Sequence, residues 1–557
     1  MIFSKQTITS DQKAISELAQ QIGISSTFAQ ILLCRGLKNE SQIRQFIYPT
    51  LSELSSPYSI LDYEKALERI ADSIRRKERI LVFGDYDVDG TTSAALLSEF
   101  IELAGGHVTV LQANRFFGGY GLSSEALSMI LEAKPSLVIT CDCGSTDHER
   151  VEILNRAGID VIVVDHHNVP LEPLPAYAFI NPRRDEQNTH FHNFSTAGLA
   201  FLIAAGVRRK LGQQIDVRRF LDLVALGTVA DVVPLNGDNR RLVRAGLSRL
   251  GSGKVRPGIA ALMETARLKA PIKAHDIAFR LGPRLNAPGR LEGPSLAFQL
   301  LRSTSLHEAH RLARQIEDIN EKRKAIQEQM VAEALAQAWR QHNGCPRDPI
   351  VVASPHWHKG VVGIVAARLV QQFMVPCIVI AIEGEEGHGS GRAPAGFPLY
   401  RTVLETKPWL LSVGGHDAAV GLRISRDAIP GFREAFARAT RQKLFCAHLQ
   451  NPSPEVFIDG ERFPLPSPHE LWLLEPVGHG NPEPVAYIDG VEVKEWKRIG
   501  QTLQLDLYLG LKPLRAHVSL DKQAQLKLGK RSLIGTLYVR RVQDQGEVEV
   551  RVIDFYS

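Results

Sequence analysis

The sequence has few cysteines. Six are scattered over 557 residues, at Cys34, Cys141, Cys143, Cys345, Cys377 and Cys446. Such spacing does not make a disulfide framework. A zinc site would need a second cysteine pair beside the C-x-C of Cys141 and Cys143, and none is present. We therefore expect reduced thiols.

Long apolar runs are also missing. No uninterrupted apolar stretch reaches the roughly 18 residues that suggest a membrane span. The start, MIFSKQTITSDQ, lacks a basic segment followed by an apolar one. We expect a cytoplasmic protein without membrane segments. The net charge of +5 is compatible with a polyanionic partner but does not establish one.

The length suggests about three or four domains. Composition and pattern divide the chain into a helical segment, a first α/β lobe, a connecting helix, a second α/β lobe and a strand-rich end. The predicted ranges are 1–60, 61–304, 305–347, 348–448 and 449–557. The connecting helix carries many charges and, at 1.5 Å per residue, could span roughly 50 Å as a rigid strut.

Strands and helices alternate from residue 79 onward. The apolar strand patterns are RILVFGDYD, HVTVLQANR, SLVITCDCG and DVIVVDHHN. Because helices separate them, they predict a doubly wound parallel sheet. Ligands of such sheets bind beyond the carboxyl ends of the strands.

Possible metal ligands follow three of these strands. The clusters converge on one sheet edge, and a further acid follows a later helix of small residues. The candidates are Asp87, Asp89, Asp142, His166, His167 and Asp231. Carboxylates with imidazoles and no thiolate suit Mn²⁺ or Mg²⁺. The set is enough for two ions, which can clamp the attacking and leaving oxygens of an in-line displacement.

Each acid taken alone has a simpler explanation as a helix cap or turn residue. Asp142 ends a central strand between the other clusters, so we expect it to bridge the two ions. Asp85 either belongs to the set or only orients its neighbours.

Phosphate-binding groups are expected in the second lobe. The stretch GHGSGRAP supplies glycines whose backbone N–H groups could approach an oxyanion, with Ser390 and Arg392 as further donors. A solvated surface turn is the alternative. Arg115 in ANRFFGGYGL is a similar candidate, and Arg290 a weaker one. His416 in GGHDAAVG either contacts substrate or is packed.

The last hundred residues show several short strand patterns, which suggest a small barrel. Its basic and aromatic residues include Trp496, Lys530, Arg531, Arg540 and Arg541. Aromatic side chains among cations are typical of surfaces that hold single-stranded nucleic acid. A solvated edge strand protected by charge is the alternative.

The motifs DYDVDG and DHH resemble those of the DHH phosphoesterase superfamily. Further stretches are similar, in order and spacing, to the superfamily's exonucleases specific for single-stranded DNA. They are RFFGGYGL, GPRLNAPGRL, WHKGVVGIVAARL, VGGHDAAVGL and GHGNPEP. The similarity runs from LCRGL to the final barrel. It implies a DHH domain, a DHH-associated domain and an OB-like barrel.

The resemblance also implies residue roles. The metal ligands would be Asp87, Asp89, Asp142, His166 and Asp231, with His167 as a substrate-side or acid-base imidazole. Many relatives carry a histidine four residues before Asp87, and here that position is Phe83.

The activity implied is metal-dependent degradation of single-stranded DNA from the 5′ end to mononucleotides, in repair and recombination. A monomer that works with a helicase and a single-strand-binding protein is expected. Two other functions stay open. One is a superfamily phosphoesterase for oligoribonucleotides or cyclic dinucleotides, although such enzymes generally lack the barrel. The other is a non-catalytic replication scaffold.

Overall fold

The structure is a computed structural model of the 557-residue chain. It describes residues 12–116, 121–187, 189–342, 346, 348–417, 419–444, 453–461, 463–500, 502–526, 528–542 and 545–556. The side chains of His416 and Arg541, both named in the sequence predictions, lie outside the described part of the structure.

Helices occur in every part of the fold. They are α1 Gln12–Ile22, α2 Ser26–Cys34, α3 Glu40–Ile47, α4 Tyr63–Arg75, α5 Val88–Leu103, α6 Ser124–Ala133, α7 His148–Arg156, α8 Thr196–Lys210, α9 Leu221–Ala230, α10 Gly237–Gly251, α11 Pro257–Thr265, α12 Ala274–Asp276, α13 Gly282–Leu291, α14 Ser295–Arg302, α15 Leu306–Gln341, α16 Val362–Phe373, α17 Leu399–Leu404, α18 Ile429–Leu444 and α19 Pro468–Leu473. Within the described ranges, no helix has the length and apolar character that a bilayer span requires.

The strands form three sheets. They are β1 Arg79–Gly84, β2 His107–Gln112, β3 Leu137–Cys141, β4 Asp160–Val164, β5 Ala178–Ile180, β6 Ile350–Ser354, β7 Cys377–Glu383, β8 Glu386–Arg392, β9 Ser412–His416, β10 Ala419–Ser425, β11 Val456–Ile458, β12 Val485–Ile499, β13 Thr502–Leu509, β14 Lys512–Ser519, β15 Gly529–Val542 and β16 Gln545–Tyr556.

The first sheet is parallel throughout and has the order β2-β1-β3-β4-β5. One apolar core, which includes α5 and α8, covers one face, and a second core, which includes α6 and α7, covers the other. The predicted doubly wound sheet is therefore confirmed. The strand order reverses between β1 and β3, and such a point is where ligands of open α/β sheets bind. The short edge strand β5 is an addition to the predicted strands.

A single helix of 36 residues, α15, leads to the second lobe. At 1.5 Å per residue it is about 54 Å long. The second sheet has the order β6-β7-β8-β10-β9 and is mixed, since only β6 and β7 are parallel. The predicted connecting helix and second α/β lobe are both present.

The C-terminal strands close into a barrel. β12, β13, β14, β16 and β15 are neighbours in that order, and β12 also pairs with β15. Strand β14, which the sequence analysis did not identify, completes the ring. Its burial alternates from Leu514 through Ala516 to Val518, so every second side chain enters the barrel core. The predicted small barrel is confirmed.

The N-terminal helices pack on this barrel. Five apolar side chains of α2 and α3 share one core with the strands, namely Phe28, Ile31, Leu32, Ile43 and Ile47. Helices α2 and α3 and the barrel therefore form one packing unit. The domain ranges given above stay predictions, but this shared core shows that residues 449–557 do not pack by themselves.

Removing residues 449–557 alone should leave the apolar faces of α2 and α3 exposed. Each large apolar side chain loses about 2 kcal/mol of burial free energy, so we expect an aggregating fragment. A fragment of residues 50–448, which lacks both halves of the shared core, should remain in solution. Size-exclusion chromatography and thermal unfolding compare the two. Equal solubility would contradict the shared packing unit.

Candidate metal centre and phosphate pocket

The predicted metal ligands meet at the carboxyl ends of β1, β3 and β4. The side chains form three groups, and within each group the ligand atoms lie within 4.8 Å of one another. They are Asp142 with His166 and His167, Asp89 with His166 and Asp231, and Asp85 with Asp87 and Asp142. All of the proposed ligands, together with Asp85, are therefore gathered at the reversal point of the first sheet.

Backbone N–H groups at the N-termini of two helices bind the acids that follow β1. Asp87 caps α5, and its Oδ1 accepts a hydrogen bond from the N–H of Gly90 at 3.0 Å. Asp89 lies in the first turn of α5 and accepts bonds from the N–H groups of Thr196 at 2.7 Å and Ala197 at 2.9 Å, in the first turn of α8. Helix N-termini favour negative charge, so both carboxylates are oriented before any cation binds.

Asp142 occupies the centre of the cluster. It leaves β3 with a left-handed φ of 67°, which is uncommon for a residue other than glycine. The Thr196 hydroxyl donates to its Oδ1 at 3.1 Å. Strained backbone of this kind tends to occur at functional sites. Asp142 belongs to two of the three ligand groups, as a bridging ligand must.

His166 fits a metal ligand particularly well. Its Nε2 lies 3.3 Å from Asp142 Oδ1 and 3.3 Å from Asp231 Oδ2. Neither ring nitrogen makes a hydrogen bond to a described residue. Burial and the positive charge of His167 lower the pKa of His166 to about 4, so the ring is neutral. A neutral imidazole with a free nitrogen among carboxylates is what a divalent cation needs.

The carboxylates repel one another. Burial and the charge of Asp87 raise the pKa of Asp85 and Asp142 well above the usual range, and burial and Asp89 do the same for Asp231. The pKa of Asp89 rises to about 7 for the same two reasons, burial and Asp87. A bound divalent ion would remove this repulsion. Hard oxygen ligands of this kind suit Mn²⁺ or Mg²⁺.

Asp165 faces inward and organises the two histidines. It accepts hydrogen bonds from His166 N–H at 2.8 Å, His167 Nδ1 at 2.7 Å and Ser145 N–H at 3.2 Å. Burial alone would raise its pKa, but His167 holds the pKa below the usual range. In return, Asp165 outweighs the burial of His167 and raises the pKa of that ring to about 9. His167 is therefore a cation at neutral pH. This role of Asp165 does not follow from its position in the sequence directly after β4.

A pocket of about 280 Å³ adjoins the acids. It is lined by Asp85, Tyr86, Asp87, Arg115, His167, Ala230, Asn286, Gly289 and Arg290. The Arg115 guanidinium lies 4.5 Å from the centroid of the Tyr86 ring. Arg290, the weaker candidate in the sequence, reaches the same pocket and donates to the carbonyl of Gly360 at 3.3 Å. The pocket thus places cationic side chains directly beside the metal ligands.

The second lobe adds Ser390 and Arg392, although not from a loop. The stretch GHGSGR is strand β8, which pairs with β7 and β10. Its backbone N–H groups take part in the two ladders, so the predicted backbone oxyanion cradle is wrong. The side chains remain available. Arg392 Nη1 donates to Ser390 Oγ at 2.9 Å, and a Cβ at Gly363, in the first turn of α16, would lie 3.1 Å from both side chains.

The arginines repel one another as the acids do. Burial, followed by the charge of Arg115, lowers the pKa of Arg392. The same two causes, in the same order, lower the pKa of Arg290 to about 9. Three guanidinium groups from separate segments therefore gather where an anion would relieve their repulsion.

A larger groove, of about 920 Å³, lies between the first lobe and the barrel. Its aromatic and basic lining includes Lys273, His275, Phe279, Trp472, Tyr538, Arg540 and Arg551. Ala230, which directly precedes Asp231, lines both the groove and the pocket beside the acids, so the two cavities adjoin at this residue. Most of these residues were missed, because they are separated by hundreds of positions in the sequence.

The basic residues predicted on the barrel differ in their surroundings. Arg540 lines the groove and also pairs with the buried Glu549 at 3.2 Å. Lys530 is exposed, and Arg531 stacks over Phe555 at 5.4 Å. Trp496 is 41% exposed on β12 but does not line the groove. Only part of the predicted basic stretch therefore faces the groove.

Two further features of the sequence have structural explanations. Phe83 is fully buried in β1 and packs in the core that includes α6 and α7, so it offers no ligand to the metal centre. His358 accepts a hydrogen bond from the N–H of Gly360 at 3.1 Å, in the turn that also receives Arg290.

Family models match both lobes. The DHH family N-terminal domain matches residues 79–228, and the DHHA1 domain matches residues 347–442. The single-stranded-DNA-specific exonuclease RecJ of Escherichia coli (strain K12) is 35% identical over 508 residues, with 86% of each chain covered. RecJ of Bacillus subtilis (strain 168) is 31% identical over 497 residues. That alignment covers 88% of this chain but 62% of the relative.

The crystal structure of RecJ from Thermus thermophilus in complex with Mn²⁺ superimposes with a TM-score of 0.83 at 28% identity. The match covers 98% of this chain and 78% of that one. The complex of the same relative with Mg²⁺ has a TM-score of 0.76 at 26% identity, with 98% and 77% covered.

Asp165→Asn should lower the pKa of His167, because it removes the negative partner of the imidazolium. In the native protein, protonated His167 stabilises the fold below its unfolded pKa of about 6.5, and this contribution is lost as the pH rises through about 9. NMR titration of metal-free protein measures the change, and His167→Gln identifies the resonance. An unchanged His167 pKa in Asp165→Asn would contradict the pairing.

Proposed function

The chain belongs to the RecJ family of single-stranded-DNA-specific exonucleases, and we propose that it degrades single-stranded DNA from the 5′ end to mononucleotides. One observation supports this most directly: a cluster of carboxylates that requires cations adjoins a cluster of arginines that requires an anion. A phosphate bound between the two clusters satisfies both.

We assign metal binding to Asp87, Asp89, Asp142, His166 and Asp231, with Asp142 shared between two sites. The fit of this donor set to Mn²⁺ or Mg²⁺ is supported by the relative solved with either ion. When bound, two such ions neutralise phosphate charge and activate water for in-line displacement. The protein contributes the positions of the carboxylates, through the first turns of α5 and α8.

His167 acts on the substrate side of the centre. Its Nδ1 is held by Asp165, and its raised pKa keeps it cationic at neutral pH. A cationic imidazole can donate a hydrogen bond or a proton, which suits the leaving oxygen better than the attacking water.

The arginine pocket binds the terminal phosphate. Arg115 and Arg290 line the pocket from the first lobe. Arg392, bonded to Ser390 of the second lobe, lies close enough for its charge to act on Arg290. The N-terminus of α16 beside Ser390 adds a favourable dipole. Such a pocket lets the enzyme measure one nucleotide from a 5′-phosphate. The rest of the strand would lie in the groove between the first lobe and the barrel, where aromatic and basic side chains suit stacked bases and phosphates.

A phosphoesterase for short oligoribonucleotides or cyclic dinucleotides would not need this groove, because its substrate is too short to reach from the pocket to the barrel. A non-catalytic scaffold would not need an intact ligand cluster. We further propose that the protein works as a monomer in the cytoplasm, where a helicase and a single-strand-binding protein supply and hold its substrate.

Asp142→Asn and Asp231→Asn should each reduce nuclease turnover to a few per cent of the native value or less, in Mn²⁺ as in Mg²⁺. Each variant loses a charge that a divalent ion requires but keeps its shape. Release of nucleotides from labelled single-stranded DNA measures turnover, and circular dichroism checks the fold. Asp318→Asn, on the exposed side of α15, is the control. Substantial turnover in either variant would overturn the metal assignment.

Arg392→Lys should weaken the preference for 5′-phosphorylated over 5′-hydroxyl ends, and Arg392→Ala should remove most of it, because lysine cannot form the bidentate bonds of a guanidinium. Matched oligonucleotides labelled at either terminus compare the variants with the native enzyme. Arg401→Lys, exposed on α17, is the matched control. Degradation from the 3′ end would contradict the proposed polarity, and an unchanged preference would contradict the role of Arg392.

A further inference from the structure

The stretch GHGNPEP, residues 478–484, forms a loop before the barrel strand β12. It contacts the first lobe just after Asp231. His479 donates from Nδ1 to the carbonyl of Val232 at 2.9 Å, and the His479 carbonyl accepts from the N–H of Leu235 at 2.7 Å. One residue of the loop therefore holds the chain on both sides of Val233 and Pro234.

The loop approaches the first lobe closely at the glycines on either side of His479. A Cβ at Gly480, where φ is 72°, would lie 2.8 Å from Cβ of Pro234. A Cβ at Gly478 would lie 2.9 Å from Cδ1 of Leu235. Both distances are shorter than real carbon contacts. The Leu235 side chain could shift, but the Pro234 ring and the positive φ leave no such adjustment at Gly480, so a larger residue there would push the loop away from the first lobe.

The segment that the loop holds is strained. Val232 has a φ of 60°, and this left-handed conformation is unfavourable for a β-branched residue. Its side chain is 64% exposed, so packing contributes little to holding it. Asp231, the preceding residue, ends α9. Val232 directly follows Asp231, so its conformation sets the path of the chain immediately after this carboxylate.

The loop is itself firmly held. The Asn481 side chain donates to the carbonyls of Leu474 at 2.8 Å and Pro476 at 2.6 Å, and it accepts from Arg35 at 2.5 Å. These three hydrogen bonds fix the base of the loop, that is, the residues around Asn481.

Arg240 joins that base to the first lobe. It is only 2% exposed, and it donates from α10 to the carbonyls of Phe46, Leu473 and Leu474 at 2.8 to 2.9 Å. The barrel domain is therefore docked a few residues beyond Asp231.

We propose that His479 is a positioning residue for the metal centre. It holds Val232 in its left-handed conformation and thereby keeps the Asp231 carboxylate against His166. Docking of the barrel domain is coupled in this way to metal binding, in addition to the barrel's contacts with DNA. The inference rests on the proposed function, since it takes Asp231 to be a metal ligand.

The first test measures Mn²⁺ affinity of the full chain by electron paramagnetic resonance of free Mn²⁺. His479→Ala should bind Mn²⁺ about 10-fold more weakly, the lower end of the losses expected when contacts outside the ligands themselves are removed. His479→Asn, whose amide can replace Nδ1, should recover most of the affinity. His469→Ala, an exposed histidine on α19, is the matched control.

Gly480→Ala displaces the loop by a different route and should have the same effect as His479→Ala. Kinetics should show a loss in kcat that higher Mn²⁺ concentrations restore, with little change in KM for DNA. Native Mn²⁺ affinity in both Gly480→Ala and His479→Ala would overturn the proposal.

A double variant tests the role of strain. Val232→Gly removes the cost of a positive φ, so adding it to His479→Ala should restore part of the Mn²⁺ affinity that His479→Ala loses. General destabilisation would not be rescued in this way, and absence of rescue would contradict the proposal.

Asp231→Asn distinguishes failure of the metal-ligand assignment from failure of the positioning role. If it binds Mn²⁺ normally, the ligand assignment fails. If Asp231→Asn loses Mn²⁺ affinity while His479→Ala keeps the native affinity, only the positioning role of His479 fails.

Discussion

Repulsion among buried carboxylates is the constraint around which this structure is organised. Asp85, Asp87, Asp89 and Asp142 follow the ends of two adjacent strands. All but the half-buried Asp87 are buried, and burial removes the water that would screen their charges. This repulsion is unfavourable, but the same arrangement places the carboxylates as ligands before a cation binds. Backbone N–H groups at the beginnings of α5 and α8 compensate part of it, and divalent cations are suited to compensate the rest.

A cluster of the opposite sign faces the acids. Arg115, Arg290 and Arg392 come from three segments in two lobes. Burial and, after it, the charge of Arg115 lower the pKa of Arg290 and Arg392. Among the ion pairs of the described residues, none joins an acid of the metal centre to one of these arginines, and we propose that both clusters serve an external partner. A phosphodiester with bound cations supplies both missing charges at once, which explains why the two lobes face each other here.

Backbone strain marks the same region. Asp142 and Val232 both adopt left-handed conformations, one at a proposed ligand and the other directly after one. Strain of this kind persists only where surrounding contacts determine the conformation. For Asp142 the contact comes from Thr196 in the first lobe, whereas for Val232 it comes from His479 in the barrel domain. The metal centre therefore depends on parts of the chain that are far apart in sequence.

The sequence by itself determined the parallel sheet, the long helix, the barrel and the principal metal-type ligands. These follow from local periodicity and from the rule that parallel strands end at one edge, as for Asp87 and Asp142. Tertiary structure alone decided the rest. Whether GHGSGR is a loop or strand β8 depends on its partners β7 and β10. The inward role of Asp165 and the contact of His479 with Val232 are also tertiary, because the geometry of side-chain hydrogen bonds is set by packing and not by sequence spacing.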